Sequence, residues 1–412
     1  MNIYKLILLI ALFALFLLSR ILYVDLQYSI LILLLATIIF MYRNNSYVSL
    51  AYCLMLIIFY LVPGFFQKLA NISYCNNVCE EIVILIVGLV LSILLLANLV
   101  VPNSKQKFVF GNSLPNEKII LVILMISACY NFYSISQGLL GRALLIDKGI
   151  KNINTQADSL IFLAKMILTV VASKYLIATR NKLLAILCFL ELSMLFLLTG
   201  ARSMIIVPLG VLIFRVTRSQ NRSNLLLLGT YISIAITGVI WSTANRLKLD
   251  SLTEILASAF LGSTNFYIEL ERSVGLLLSV GSVGQSQIGY TIVSFVPRFL
   301  WSGKPINEVT ALVTYDAWGV YELIGVGNVL SGFIGQFVLG EGFILGLVSI
   351  FTLISACLML EVHIRRNAHN PWAAASLILL IVAIIANGRF MATANLILPL
   401  IALGLMQIRK LR

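Results

Sequence analysis

Apolar runs of bilayer length follow one another along almost the whole chain, and that spacing leaves few folds open. Crossing the hydrocarbon core takes about 20 apolar residues in a helix, because backbone groups in lipid must satisfy each other within the segment. Such runs cover residues 3–19, 26–42, 47–66, 82–101, 118–135, 159–178, 183–199, 203–217, 224–242, 337–360, 372–387 and 391–408. Hydrophobic residues make up 60% of the chain and charged residues 11%, whereas soluble domains carry roughly 25% charge. The expectation is an all-α polytopic membrane protein of about twelve transmembrane helices. Helices 1–9 fall in residues 1–242, an extracytoplasmic loop in 243–336, and helices 10–12 in 337–412. The first run resembles a signal peptide but lacks a small-residue cleavage site after it, so it reads as a retained span.

The formal net charge of +13 points to anionic lipid or an anionic substrate. Nothing in the chain resembles a base-stacking motif, a basic recognition helix or zinc-ligand spacing, which argues against a nucleic-acid partner. Loops on the side of the termini hold most of the Lys and Arg, among them Arg43, Lys105, Arg215, Arg218, Arg365 and Arg409. Positive charge gathers on the cytoplasmic side of short loops, so both termini are expected in the cytoplasm. Cys75 and Cys79 share one outside loop and are either bonded or simply two small residues.

The loop over 243–336 breaks the charge rule. It carries Arg246, Lys248, Arg272, Arg298 and Lys304 on the non-cytoplasmic face. Residues 251–268 and 287–301 within it are apolar and aromatic, as suits helices lying in the interface with rings at headgroup depth. Two outside turns, Gly200-Ala201-Arg202 and Gly388-Arg389, present further arginines at the same face. Each alone is explained by snorkelling to lipid phosphate; together with Arg298 and Lys304 they suggest one anion site. Guanidinium suits it, since its planar fork binds phosphate bidentately and stays charged.

Other candidates are weaker. Lys165 and Glu191 fall deep in adjacent spans, where ionisable groups need a partner or a wet cavity; pairing with each other and lining a substrate cavity both remain open. A base for an acceptor hydroxyl would be an outside carboxylate, since His363 and His369 both fall in a cytoplasmic loop. The candidates are Asp25, Asp250, Glu254, Glu269, Glu271, Glu308, Asp316, Glu322 and Glu341; Asp316 is the best placed because it closely follows the Arg298 and Lys304 segment, with Glu308 and Glu322 as near competitors. Asn328 precedes a glycine-spaced stretch (Gly332, Gly335, Gly340, Gly342, Gly346) of the kind that lets membrane helices approach closely. No paired hydropathy halves, expected of a repeat-built transporter, are visible.

The run Val296-Pro297-Arg298-Phe299-Leu300-Trp301-Ser302-Gly303-Lys304-Pro305 resembles the proline-arginine, tryptophan, lysine-proline motif of bacterial oligosaccharide repeat-unit polymerases of the O-antigen (Wzy) type. The glycine-rich stretch and the two glycine-arginine turns are similar in order and placement. The resemblance implies a GT-C-like, metal- and cofactor-independent glycosyltransferase of the bacterial cytoplasmic membrane, acting on undecaprenyl-pyrophosphate-linked oligosaccharides as donor and acceptor. A flippase and a chain-length regulator would be further partners. Arg298, Asp316 and Arg202 are then the expected catalytic residues. Lys304, Arg389, Arg246, Arg272, Lys165, Asn328 and Trp301 are expected to bind pyrophosphate or sugar. The related ligases would carry a histidine in the large outside loop, and this loop has none. Two alternatives are another polyprenyl-dependent glycosyltransferase with Asp25 as base, and a lipid-linked oligosaccharide flippase.

Overall fold

The computed structural model of the chain describes residues 46–64, 77–101, 108, 116–136, 156–179, 181–199, 206–219, 222–247, 266–294, 307–318, 332–387 and 393–408. These are 91% helical, with no strand among them. The expected spans at 3–19 and 26–42 lie outside the described residues. Among the described residues, three helices are long and apolar enough to cross a bilayer: Tyr47–Gly64, Cys79–Asn98 and Phe343–Arg366. This is an all-α protein of membrane composition. Many large apolar side chains on these and neighbouring helices are exposed, including Ile126, Leu226, Ile344 and Leu345, while polar groups such as Lys165, Glu191 and Glu361 are buried.

The helices are α1 (Tyr47–Leu56, continued by a π turn over Ile57–Leu61), α2 (Asn77–Val100), α3 (Glu117–Ser136), α4 (Gln156–Ala178), α5 (Lys182–Thr199), α6 (Ile206–Ser219) and α7 (Arg222–Leu247). After them come α8 (Phe266–Ser279), α9 (Gln287–Ser294), α10 (Glu308–Trp318), α11 (Gly332–Glu341), α12 (Phe343–Arg366), α13 (Pro371–Asn387) and α14 (Thr393–Ile408). Most coincide with the apolar runs because burial, not propensity, holds them. α13 packs on α14, α1, α6 and α4, and Ala373, Ala374, Leu379, Leu380 and Ala383 on it are fully buried. It starts where Asn370 Oδ1 accepts the N–H of Trp372 at 3.0 Å, with Pro371 in the first helical position, where its missing N–H costs nothing.

Two ends of the bundle can be told apart. At the basal end, Glu361 near the end of α12 accepts the N–H groups of Tyr47 and Val48 at 2.9 and 3.1 Å. Its carboxylate also takes Arg365 at 2.8 Å. A buried acid from a distant helix thus satisfies the orphan donors at the start of α1 and complements its dipole. Asn98 at the end of α2 joins the same end through Ser49. At the opposite, cap end, Tyr267 of α8 packs over Gly64, and the sulfur of Cys79 lies 3.5 Å from the carbonyl oxygen of Glu271. Cys79 is disulfide-bonded, and the other described cysteines, Cys53, Cys129, Cys188 and Cys357, are free thiols.

One stretch departs from the sequence reading. A single span was expected over 337–360, preceded by loop. Instead the helix breaks at Gly342, whose φ of 86° is left-handed backbone that glycine adopts without strain. α11 then folds back along α12 as a hairpin. The two backbones touch: a Cβ added at Gly346 would lie 2.6 Å from the carbonyl oxygen of Phe337. α11 is buried from Gly332 to Gly340, and its first turn reaches deep between α1 and α12. There the hydroxyl of Tyr60 accepts the N–H of Ile334 at 3.2 Å, and the Phe333 ring lies 6.1 Å from that of Tyr52. Hydropathy alone cannot see this break, because both sides of Gly342 are apolar. A methyl at position 346 meets backbone, which cannot yield. Gly346→Ala is expected to destabilise the protein by about 1–3 kcal/mol, read as a lowered Tm in detergent. An exposed control, Gly404→Ala, meets no atom within 4 Å and leaves Tm unchanged or raised.

Candidate functional site

The cap end is built by α8, α9 and α10, which lie over α11. Asn307 Oδ1 accepts the N–H of Thr310 and starts α10, and Gln285 Oε1 accepts the N–H of Glu308. The strand-like link before α9 runs beside the end of α11, with Val283 and Gln285 N–H groups bonded to Leu339 and Gly340 carbonyls at 3.0 Å each. Glu341 adds a clasp. It accepts the N–H of Gln287 at 2.5 Å and the hydroxyl of Ser349, tying the hairpin to the start of α9.

Arg272 bridges α8 and α10. Its guanidinium lies 3.2 Å from Glu269 one turn back and 3.2 Å from Asp316 on α10. Glu269 is largely buried, and desolvation pushes its carboxyl up to about 7 despite the opposing pull of Arg272, with Asp316 adding a smaller push upward. Neutral and ionised forms therefore coexist near neutral pH, as acid–base chemistry requires. Asp316 is the more exposed of the two acids. Tyr267 nearby is also pushed up by burial.

Of the expected site residues, the structure brings Arg272 and Asp316 together. Lys165 lies elsewhere, on α4, which packs with α5, α6, α13 and α14. Its ammonium contacts Ser127 Oγ at 2.5 Å, Asn131 Oδ1 at 2.6 Å and Glu191 at 3.0 Å. Ser127 and Asn131 also donate to Glu191. The network is closed: three donors of the ammonium meet three partners, so of the two roles open to Lys165, pairing with Glu191 is the one observed. Arg246 falls in the last turn of α7, and its side chain is outside the described set. Arg202, Arg298, Trp301, Lys304, Asn328 and Arg389 lie outside the described residues. Among the described residues, no three His, Cys, Asp or Glu side chains are grouped as a metal would need.

Sequence reasoning did not rank Glu269 above its neighbours and passed over Gln336. Glu269 carried a signal in its spacing to Arg272, which places the pair on one helix face. Gln336 stands as an amide in an apolar run, polar where the other buried positions of α11 are not. No protein-family model matches the chain, and comparison with curated proteins and with solved structures finds no match.

Two outcomes follow. Because the Glu269 carboxyl titrates higher in the folded protein than its usual 4.5, the folded state holds its proton longer. The contribution of this group to stability is fully present below 4.5 and is lost as pH rises through about 7. Glu269→Gln should flatten that part of the Tm–pH profile, and an unchanged slope would contradict the assignment. In the Lys165 network, Glu191→Gln strands a buried ammonium and should cost about 3–5 kcal/mol. The double variant Lys165→Met/Glu191→Met should recover most of it, measured as a double-mutant cycle on Tm.

Proposed function

We propose that the protein polymerises undecaprenyl-pyrophosphate-linked oligosaccharide repeat units into a surface polysaccharide, at the outer face of a bacterial cytoplasmic membrane. The observation that carries this reading is the motif-bearing stretch Phe295–Ile306. It runs from Ser294 at the end of α9 to Asn307 at the start of α10, so both its flanks belong to the cap. The basic and aromatic residues that resemble those of repeat-unit polymerases thus fall, in sequence, between the helix that carries Arg272 and the helix that carries Asp316, and directly precede the latter. In this reading the cap end faces outward and both termini face the cytoplasm. The disulfide of Cys79 at the cap end supports that direction, because disulfides persist on the oxidising side.

The chemistry needs no nucleotide sugar. Arg298 and Lys304, with Arg202 and Arg389 at the same face, neutralise the pyrophosphate as the glycosidic bond breaks. Fixed cations stabilise that developing charge better than water does. Asp316, or Glu269 through its near-neutral titration, accepts the proton of the attacking hydroxyl of the next repeat unit. About twelve spans in a GT-C-like arrangement would hold the two polyprenyl tails in the bilayer. A flippase delivering the repeat units and a chain-length regulator would be its working partners.

Arg298→Ala is expected to abolish polymer in cells while the protein still inserts in the membrane. The check is a gel of surface polysaccharide beside an immunoblot of the membrane fraction. Full-length polymer with the folded variant would remove Arg298 from its role.

A further inference from the structure

Arg272 divides itself between two acids that do different work. Its Nη1 lies 3.2 Å from both carboxylate oxygens of Glu269, one turn back on α8, and its Nε lies 3.2 Å from Asp316 Oδ2. The first contact stays within one helix and joins nothing; the second ties the last turn of α10 to α8. Elsewhere α10 is held by a small apolar cluster, Val309 and Val313 with Leu276 of α8 and Leu339 of α11, and at its start by the Glu308 N–H donating to Gln285. The charged trio is only part-buried, with 16%, 18% and 43% exposure left to the Arg272, Glu269 and Asp316 side chains. With both acids ionised it has one negative charge in excess, and like charges drawn out of water repel. Among the described residues, the charged groups that act on the Glu269 carboxyl are Arg272 and Asp316. On the elements around α8, Glu80 of α2 acts with Glu271 on Tyr267 instead. The Tyr60 hydroxyl of α1 meets Ile334, and Glu341 of α11 meets Gln287 and Ser349.

We propose that Glu269, Arg272 and Asp316 form a proton-operated latch on α10: a proton on Glu269 leaves the guanidinium to Asp316 and holds α10 against α8, and loss of that proton loosens α10. Linkage gives the direction. The negative charge of Asp316 pushes the Glu269 carboxyl upward, so the protein with α10 docked binds that proton more tightly than with α10 released. By reciprocity the proton favours docking by the same factor. The Glu269 carboxyl stands at about 7 in the docked cap against its usual 4.5. The latch is therefore fully closed below 4.5 and weakens as pH rises through about 7. Only the share of that rise that α10 causes works the latch; burial of Glu269 that persists without α10 does not. The chain enters α10 from the basic stretch Phe295–Ile306. Under the polymerase reading, a rise in external pH thus loosens the helix into which the motif-bearing stretch runs. The latch itself does not rest on that reading.

Amide hydrogen exchange of the full-length protein in nanodiscs tests this, read by mass spectrometry from about pH 5 to about pH 9 so as to bracket the titration. Dividing by the intrinsic exchange rate at each pH leaves the opening of residues 309–318. In wild type α10 should open about five-fold more at the top of the range than at the bottom. α13, whose sequence holds no ionisable side chain, should keep constant protection. Glu269→Gln has no proton to lose, so its α10 should stay as protected throughout as wild type is at low pH. Asp316→Asn removes the tie, and its α10 should be open at every pH, as wild type is at high pH. Wild-type opening of α10 that is flat with pH, or that falls as pH rises, overturns the latch. So does a pH dependence that persists in either variant, and one variant that purifies is enough to decide. Polymer formation is not read here, so failure of the latch and failure of the polymerase reading are separate results.

Discussion

The contact between Gly346 and the backbone of Phe337 sets the rest of the cap end. Because two helices touch there without side chains between them, α11 can lie inside the bundle as a half-length helix. Helix pairs in membranes often rely on such small residues, since lipid offers no hydrophobic drive for helices to associate. With α11 inside, its face toward α8, α9 and α10 becomes the floor on which the cap rests. α11 brings the chain up to the cap end, the left-handed turn at Gly342 sends it down again as α12, and Glu341 locks that turn to the start of α9.

A second constraint runs through the interior. Polar groups withdrawn from water must find partners, and this chain meets the demand by concentrating several on one carboxylate. Glu361 gathers two backbone donors, a serine hydroxyl and Arg365. Glu191 gathers Lys165, Ser127 and Asn131. Lys174, also buried, lies over the rings of Tyr175 and Trp372 at 4.6 and 4.3 Å. Saturated clusters of this kind read as architecture. Against them, the amide of Gln336, without a partner among the described residues, and Glu269, whose carboxyl is pushed up to about 7 by desolvation, stand out.

Much of the helical layout was legible in the sequence, for a physical reason. Apolar runs bounded by polar residues end where helices end, as at 183–199 and 372–387, and the pairing of Lys165 with Glu191 was one of two readings that depth alone allowed. Ser127 and Asn131 were not foreseeable as its partners, because they come from a helix whose facing only packing decides. The hairpin at Gly342 was hidden because a break between two apolar helices leaves hydropathy unchanged; the signal was the Gly340-Glu341-Gly342 triplet. Of the expected interfacial stretch 287–301, residues 287–294 form α9 and the rest lie outside the described residues, and the link of Arg272 to Asp316 joins residues from two helices that no local pattern connects. The chemistry proposed for the cap rests on resemblance, since the residues that would carry it belong to short basic motifs outside the described residues.

The central claim is that this chain alone forms glycosidic bonds between lipid-linked repeat units. The most direct measurement is reconstitution of the purified protein in proteoliposomes with lipid-linked repeat units and no nucleotide sugar, followed by gel analysis of the glycolipid. The account predicts a ladder of polymer with release of undecaprenyl pyrophosphate. Repeat units that cross the bilayer yet stay monomeric would contradict it and identify a flippase instead.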